Sequence, residues 1–193
     1  MKNLIVYTHP NPVSFGNAIK EQVIAACKSM GREYVLRDLY EMGFDPVLKG
    51  SDFTGIQNGQ IPLDVKVEQE HILTADIITF VYPVWWTGMP ALLKGYIDRV
   101  FSYGFAYTVN DGGIVPLLKG KKVVIFNTMG TPYDVYKNNG MLGAMHKTID
   151  LGIFQFCGME VLQHRFFGAV PYVDDGARKD MLEEIAMIVS KIK

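Results

Sequence analysis

Charge is nearly balanced in this chain, and nowhere is it concentrated. Lys and Arg number 19 against 20 Asp and Glu, for a formal net charge of −1 at pH 7. No basic run exceeds Lys121-Lys122, so the electrostatic footprint of a nucleic-acid binder is missing. No apolar stretch approaches a membrane span. The opening Met1-Lys2-Asn3-Leu4 enters a short run of strand length without a signal-peptide cleavage pattern. Cysteine is scarce: Cys27 and Cys157 stand far apart on segments predicted helical. Two isolated cysteines without a secretion signal read as buried, reduced thiols, and a cytoplasmic location is expected.

Several catalytic signatures are also missing. No strand is followed by G-x-G-x-x-G, no P-loop lysine is present, and G-x-S-x-G does not occur, which argues against a Rossmann dinucleotide site, a P-loop NTPase and a nucleophile-elbow hydrolase. The histidines His9, His71, His146 and His164 are scattered without metal-ligand spacing, so no metal centre is expected. His71 and His146 fall on helical segments and read as surface or structural residues.

What is present is alternation. Apolar runs at Leu4–Tyr7, Tyr34–Leu36, Ile77–Tyr82, Val123–Phe126 and Val161–Phe167 read as strands. Three are nearly continuous, as strands buried on both faces should be. Between them lie helical stripes, among them Ile19, Val23, Ala26 and Met30, then Leu92, Leu93, Tyr96, Ile97, Val100 and Phe101, and last Met181, Leu182, Ile185, Ile188, Val189 and Ile192. Residues 64–75 and 141–157 are weaker helical segments. The pattern predicts an α/β, flavodoxin-like, doubly wound five-stranded parallel sheet of order 2-1-3-4-5 in one domain spanning residues 1–193. Asp38–Leu63 and Tyr103–Gly120 read as irregular, and the latter carries enough apolar residues to suggest a homodimer contact.

In such a sheet ligands sit beyond the carboxyl ends of the strands. Three unusual loops fall there. The first, Thr8–Asn17, is proline-rich and feeds a helix N-terminus. Backbone N–H groups with Ser14 and Asn17 suit a phosphate, or else simply cap the helix and close a tight turn, and His9 is either a phosphate contact or a loop brace. The second, Pro83-Val84-Trp85-Trp86-Thr87-Gly88-Met89-Pro90, holds the chain's only two tryptophans. Large rings in a loop require a partner, which is either the core beneath them or a flat aromatic ligand. The third, Asn127–Tyr136, offers successive N–H groups around Gly130. Together the loops suit a flat, polar-edged aromatic molecule with a phosphate tail, such as a flavin nucleotide.

Five segments in order resemble the NAD(P)H:quinone oxidoreductases of the DT-diaphorase type, including small bacterial relatives. They are His9–Ala18, Asp38–Pro46, Pro83–Phe101, Gly104–Thr108 and Phe156–Met159. The resemblance spans almost the whole chain. It implies non-covalent FAD or FMN, NAD(P)H as reductant, and a homodimer with shared active sites. FAD is preferred because Phe15 and Asn17 resemble the loop supporting a second phosphate. It also implies that Pro83, Val84, Trp85, Trp86 and Thr87, with Thr128, Met129, Gly130 and Thr131, border the isoalloxazine ring. Trp86 would wall the substrate pocket together with Tyr107, the latter reaching in from the partner subunit. Tyr136, with the Gly130 backbone, would stabilise charge on the reduced flavin. Mammalian members carry a histidine six residues after that tyrosine; here the position is Leu142. A shorter C-terminus is a second departure.

The expected activity is two-electron hydride transfer from NAD(P)H through flavin to quinones or similar flat acceptors. The alternative is a flavin-binding ancillary subunit of a potassium-efflux transporter, a peripheral partner rather than an inserted one. A one-electron flavodoxin is a third option, disfavoured by the near-zero charge because that class usually carries a strongly acidic face.

Overall fold

The computed structural model describes residues 1–192. Five parallel strands form the main sheet: β1 (Lys2–Tyr7), β2 (Glu33–Asp38), β3 (Ile77–Pro83), β6 (Lys122–Thr128) and β7 (Glu160–Phe167), in the order β2-β1-β3-β6-β7. Among these five this is the expected 2-1-3-4-5 winding. All seven residues of β3 are buried, which explains its nearly continuous apolar sequence, broken only by Thr79: it is the central strand, covered on both faces.

Side-chain alternation divides the interior into two cores. Leu4, Val6, Ile78, Phe80, Tyr82, Val123 and Ile125 face one side, against α3 (Leu63–Thr74) and α4 (Ala91–Val100). Ile5, Tyr7, Ile77, Val81, Val124 and Phe126 face the other, against α1 (Phe15–Ser29) and α7 (Asp175–Lys191). The helices fall on both faces because right-handed crossovers from neighbouring strands on either side of β1 are wound in opposite directions.

Four readings need correction. Asp38–Leu63 is not wholly irregular, since α2 (Gly50–Gln57) lies within it. Its one buried residue is Asp52, so it has no apolar face for a periodicity reading to find. Tyr103–Gly120 contains a hairpin, β4 (Tyr107–Asn110) with β5 (Gly113–Pro116). Asn110 Oδ1 accepts from Gly112 N–H at 2.9 Å, and Gly113 takes φ +106°. The third loop is shorter than its sequence suggests. β6 runs through Thr128, and α5 (Tyr133–Asn138) begins after Pro132, whose fixed φ suits a helix start. Residues 141–157 form α6 (Met141–His146) followed by a π-helical segment, Lys147–Gln155. Cys157 lies in the turn beyond it rather than on a helix.

Candidate active site

Four loops meet at the carboxyl edge of the sheet, and backbone bonds between them fix their spacing. Thr8 N–H donates to Val81 O at 3.1 Å, Val84 N–H to Thr128 O at 2.8 Å, and Met129 N–H to Phe167 O at 2.8 Å. Val170 N–H returns to Met129 O at 3.1 Å. Between the loops lies a cleft of about 340 Å³, within the usual size range of small-molecule sites.

Nine of the expected residues line it: His9, Ser14, Phe15, Pro83, Val84, Trp85, Thr128, Met129 and Gly130. Asn11, Gly16, Val170 and Pro171 line it too and were not anticipated. Asn11 and Gly16 lay inside a segment already singled out. Val170 and Pro171 follow β7, and only the sheet order places that loop beside the third one.

The first loop ends in a capped helix start that faces the cleft. Ser14 caps α1 with extended backbone, and its Oγ accepts from Asn17 N–H at 3.1 Å. The other early N–H groups of the helix lack intrahelical acceptors and carry the positive end of its dipole. Asn11 N–H donates to His9 Nδ1 at 3.0 Å, so Nδ1 is an acceptor and the ring's proton is on Nε2. Burial holds the imidazole below its ordinary pKa, outweighing the Asn11 contact. His9 is therefore a neutral N–H donor beside Trp85, with ring centroids 6.1 Å apart. Asn17 takes part through its backbone, and its side chain does not line the cleft.

The second loop is strained. Trp85 and Gly88 exchange backbone bonds at 3.1 and 3.0 Å, closing a two-residue turn. Its central residues, Trp86 and Thr87, have φ +51° and +58°. This is the turn that Asn-Gly ordinarily makes. A tryptophan and a β-branched threonine there cost on the order of 1–3 kcal/mol each. The glycine in this loop therefore closes the turn rather than supplying its left-handed backbone. The result is that Trp86 is 98% exposed and does not line the cleft.

Gly130 leaves the third loop open: a Cβ there would meet nothing within 4 Å. Thr131 accepts from Ala169 N–H at 3.1 Å through its carbonyl and does not line the cleft. Tyr136, on α5, is half-buried against the first core. Tyr107 starts the hairpin and packs edge-on to Tyr103 and Phe156, with centroids 5.8 and 5.1 Å apart. It lines a separate hollow of about 300 Å³ with Leu48, Phe53, Ile56, Phe101 and Tyr103. Within one chain, then, Trp86, Thr87, Tyr107, Thr131 and Tyr136 are not brought into the cleft.

Behind β6 lies a second polar group. Asp150 meets His146 and His164, and His164 also meets Asn127. Burial alone would raise the Asp150 carboxyl, but its two histidine partners outweigh that and hold it below the usual range. Burial also depresses the His164 imidazole, against the support of Asp150. The sequence reading treated these histidines singly, and the fold gathers two of them around one carboxylate.

A family model described as flavodoxin-like fold matches residues 1–189. An uncharacterized NAD(P)H oxidoreductase of Haemophilus influenzae is 44% identical over 184 residues, covering 95% of this chain and 91% of the relative. The rat NAD(P)H dehydrogenase [quinone] 1 is 32% identical over 200 residues, covering 93% and 73%. The solved NAD(P)H:quinone oxidoreductase of Methanothermobacter marburgensis superposes with a TM-score of 0.90 at 27% identity, over 100% of this chain and 99% of that one. The chain belongs to the flavodoxin-like NAD(P)H oxidoreductase family that includes the quinone reductases.

Proposed function

We propose that this protein is a flavin-dependent reductase that moves a hydride from NAD(P)H to a flat, quinone-type acceptor, working as a homodimer. The observation that carries the reading is the cleft itself. It combines an anion-ready helix start with an open floor at Gly130 at one topological switch point, and the strained turn that carries the exposed Trp86 continues directly from its wall at Trp85. Its donor set fits a flavin nucleotide. Ser14, the α1 N-terminus and the His9 Nε2–H would hold phosphate. Pro83–Thr87 and Thr128–Thr131 would border the ring.

The flavin supplies the two-electron relay, and the net reaction is NAD(P)H, a proton and a quinone giving NAD(P)+ and a hydroquinone. The protein's part is to orient, to exclude water and to offer donors to the negative charge that reduction creates. The Gly130 N–H and the Tyr136 hydroxyl are the proposed donors. Tyr136→Phe is expected to slow flavin reduction about tenfold while leaving flavin bound, because backbone donors share the role. Rapid mixing with NADH and with NADPH measures that step, and an unchanged rate removes Tyr136 from the catalytic residues.

The homodimer reading rests on exposed apolar surface. Tyr103, Val109, Ile114, Leu117 and Trp86 are 51, 54, 55, 42 and 98% exposed. A second copy that covers the hairpin brings its own Tyr107 over the partner's cleft. A cytoplasmic location is part of the proposal. Cys27 and Cys157 are both buried, and burial pushes the Cys157 thiol up to about 11, so neither is poised for oxidation. Among the described residues no helix is long and apolar enough to cross a membrane.

The deciding experiment is simple. The purified protein should be yellow, and acid release with chromatography should identify FAD or FMN. A colourless protein that takes up neither flavin overturns the proposal. A flavin-loaded protein that neither nicotinamide reduces would leave a binding role instead.

A further inference from the structure

The geometry points to a divalent transition-metal site, separate from the cleft, built from His146 Nδ1, the Asp150 carboxylate and His164 Nδ1. Three features carry this.

The first is convergence. The three donor atoms lie within 4.8 Å of one another. They come from two elements, the α6–π-helical run and β7. His146 and Asp150 share one helical face four residues apart, and the π-helical segment carries Asp150 toward the strand. Such i→i+5 segments are rare, and where they occur they often mark functional positions.

The second is the fixed orientation of His164. Asn127 Nδ2 donates to Tyr82 O at 3.1 Å, which turns its Oδ1 toward His164 Nε2 at 2.7 Å. That contact requires a proton on Nε2. In the neutral ring Nδ1 is then a lone pair, and it faces Asp150 Oδ1 at 2.6 Å. Asp150 Oδ2 meets His146 Nδ1 at 2.7 Å. Each contact is bridged by a proton in the metal-free chain, and a divalent cation bound through the same lone pairs would displace those protons. A buried imidazole whose other N–H is held by an amide oxygen is how metal-ligating histidines are ordinarily oriented.

The third is the shell. The His164 side chain is 1% exposed and stacks on Phe166 at 4.2 Å, and Phe166 also meets the His146 ring edge-on at 5.3 Å. The His146 side chain is 43% exposed, leaving an entry path and room for water. Two imidazoles and a carboxylate suit Zn2+ or Co2+ with one open position. Zinc bonds of about 2.0–2.2 Å place tetrahedral donors roughly 3.3 Å apart. Loading must therefore lengthen each histidine–carboxylate contact by about 0.7 Å, which the half-exposed His146 ring can allow.

The test uses the flavin-loaded protein after dialysis against EDTA. Co2+ is added with visible absorption as the readout, then Zn2+ by calorimetry and by thermal unfolding. One Co2+ per chain should give the intensified bands of a low-coordinate site, and Zn2+ should displace it. Zn2+ should also raise the unfolding midpoint, because it binds the folded chain. Asp150→Asn and His146→Ala should each weaken binding at least about a hundredfold, no less than loss of an outer-shell partner costs. His146→Ala, at a half-exposed position, keeps the test valid if Asp150→Asn disturbs folding. No saturable binding, or binding that both variants leave unchanged, would overturn the site and assign protons to the gaps.

Discussion

Gly16→Glu should strip the protein of flavin while leaving its fold standing. Gly16 occupies the first turn of α1 and lines the cleft. The nearest atoms to a Cβ there would be Ser14 Oγ at 3.6 Å, His9 Cδ2 at 3.8 Å and the Tyr7 ring at 3.8 Å, all ordinary contacts. The helix therefore accepts a side chain, and a carboxylate near its positive end is favourable by a few tenths of a kcal/mol or more. The same carboxylate occupies the seat proposed for phosphate. Two negative groups about 4 Å apart repel by roughly 1 kcal/mol in water and roughly 4 kcal/mol near a protein surface. The expected loss is thus about a hundredfold in flavin affinity, near 2.7 kcal/mol. Flavin fluorescence titration measures it, and circular dichroism checks the fold. Wild-type affinity in a folded variant would move the phosphate seat away from α1.

Much of this site was legible because the fold obeys a strict rule. Once the buried run at Ile77–Tyr82 was read as the central strand, the loops after β1, β3 and β6 had to be neighbours. Their prolines, glycines and tryptophans already marked them as unusual. The loop after β7 was not legible in this way. Sheet order sets it beside the third loop, but Val170 and Pro171 carry no chemistry to mark it, and the backbone bonds from Val170 to Met129 and from Ala169 to Thr131 leave no sign in the sequence. The hairpin was legible in principle. Asn110-Asp111-Gly112-Gly113 is a turn signal between alternating residues, but the segment is short and the pattern slight. α2 was not, because polar contacts rather than an apolar stripe hold it. The His146–Asp150–His164 group was hidden for the same kind of reason. Fourteen residues and a helix-to-strand reversal separate Asp150 from His164, so linear spacing gave no sign that they meet. The strain at Trp86 and Thr87 was also invisible, since propensity places glycine or asparagine at such φ values.

Arg99→Ala should destabilise the protein by about 3–5 kcal/mol, the usual cost of removing one partner from a buried ion pair. Arg99 is 4% exposed. Its Nε donates to Asp52 Oδ2 at 3.0 Å, its Nη1 to Asp64 Oδ2 at 2.5 Å and to Asp45 O at 2.8 Å. One side chain thus ties α2, α3 and the Asp45 loop to α4. Close backbone contact on the same helix reinforces the arrangement: a Cβ on Gly95 would lie 2.2 Å from Pro46 O. Without the guanidinium, the Asp52 carboxylate, 7% exposed, is left buried without its counter-ion, keeping the Lys49 N–H at 3.2 Å. Urea unfolding should show the loss, a large share of the roughly 5–15 kcal/mol of a typical domain. A companion variant, Arg99→Met with Asp52→Leu, should recover part of it, since apolar replacement of a whole buried pair is often near neutral. The acid limb should change as well. Burial tends to raise Asp64, but Arg99 holds it below the usual carboxylate range. That contribution is present at neutral pH and is lost as pH falls through the lowered pKa, so the variant should lose less stability on acidification than the wild type. A change within about 1 kcal/mol would mean that Arg99 behaves as a surface pair. Flavin affinity in the folded fraction should stay near wild type, because Arg99 sits at the far end of α4 from Pro90 and the tryptophan turn.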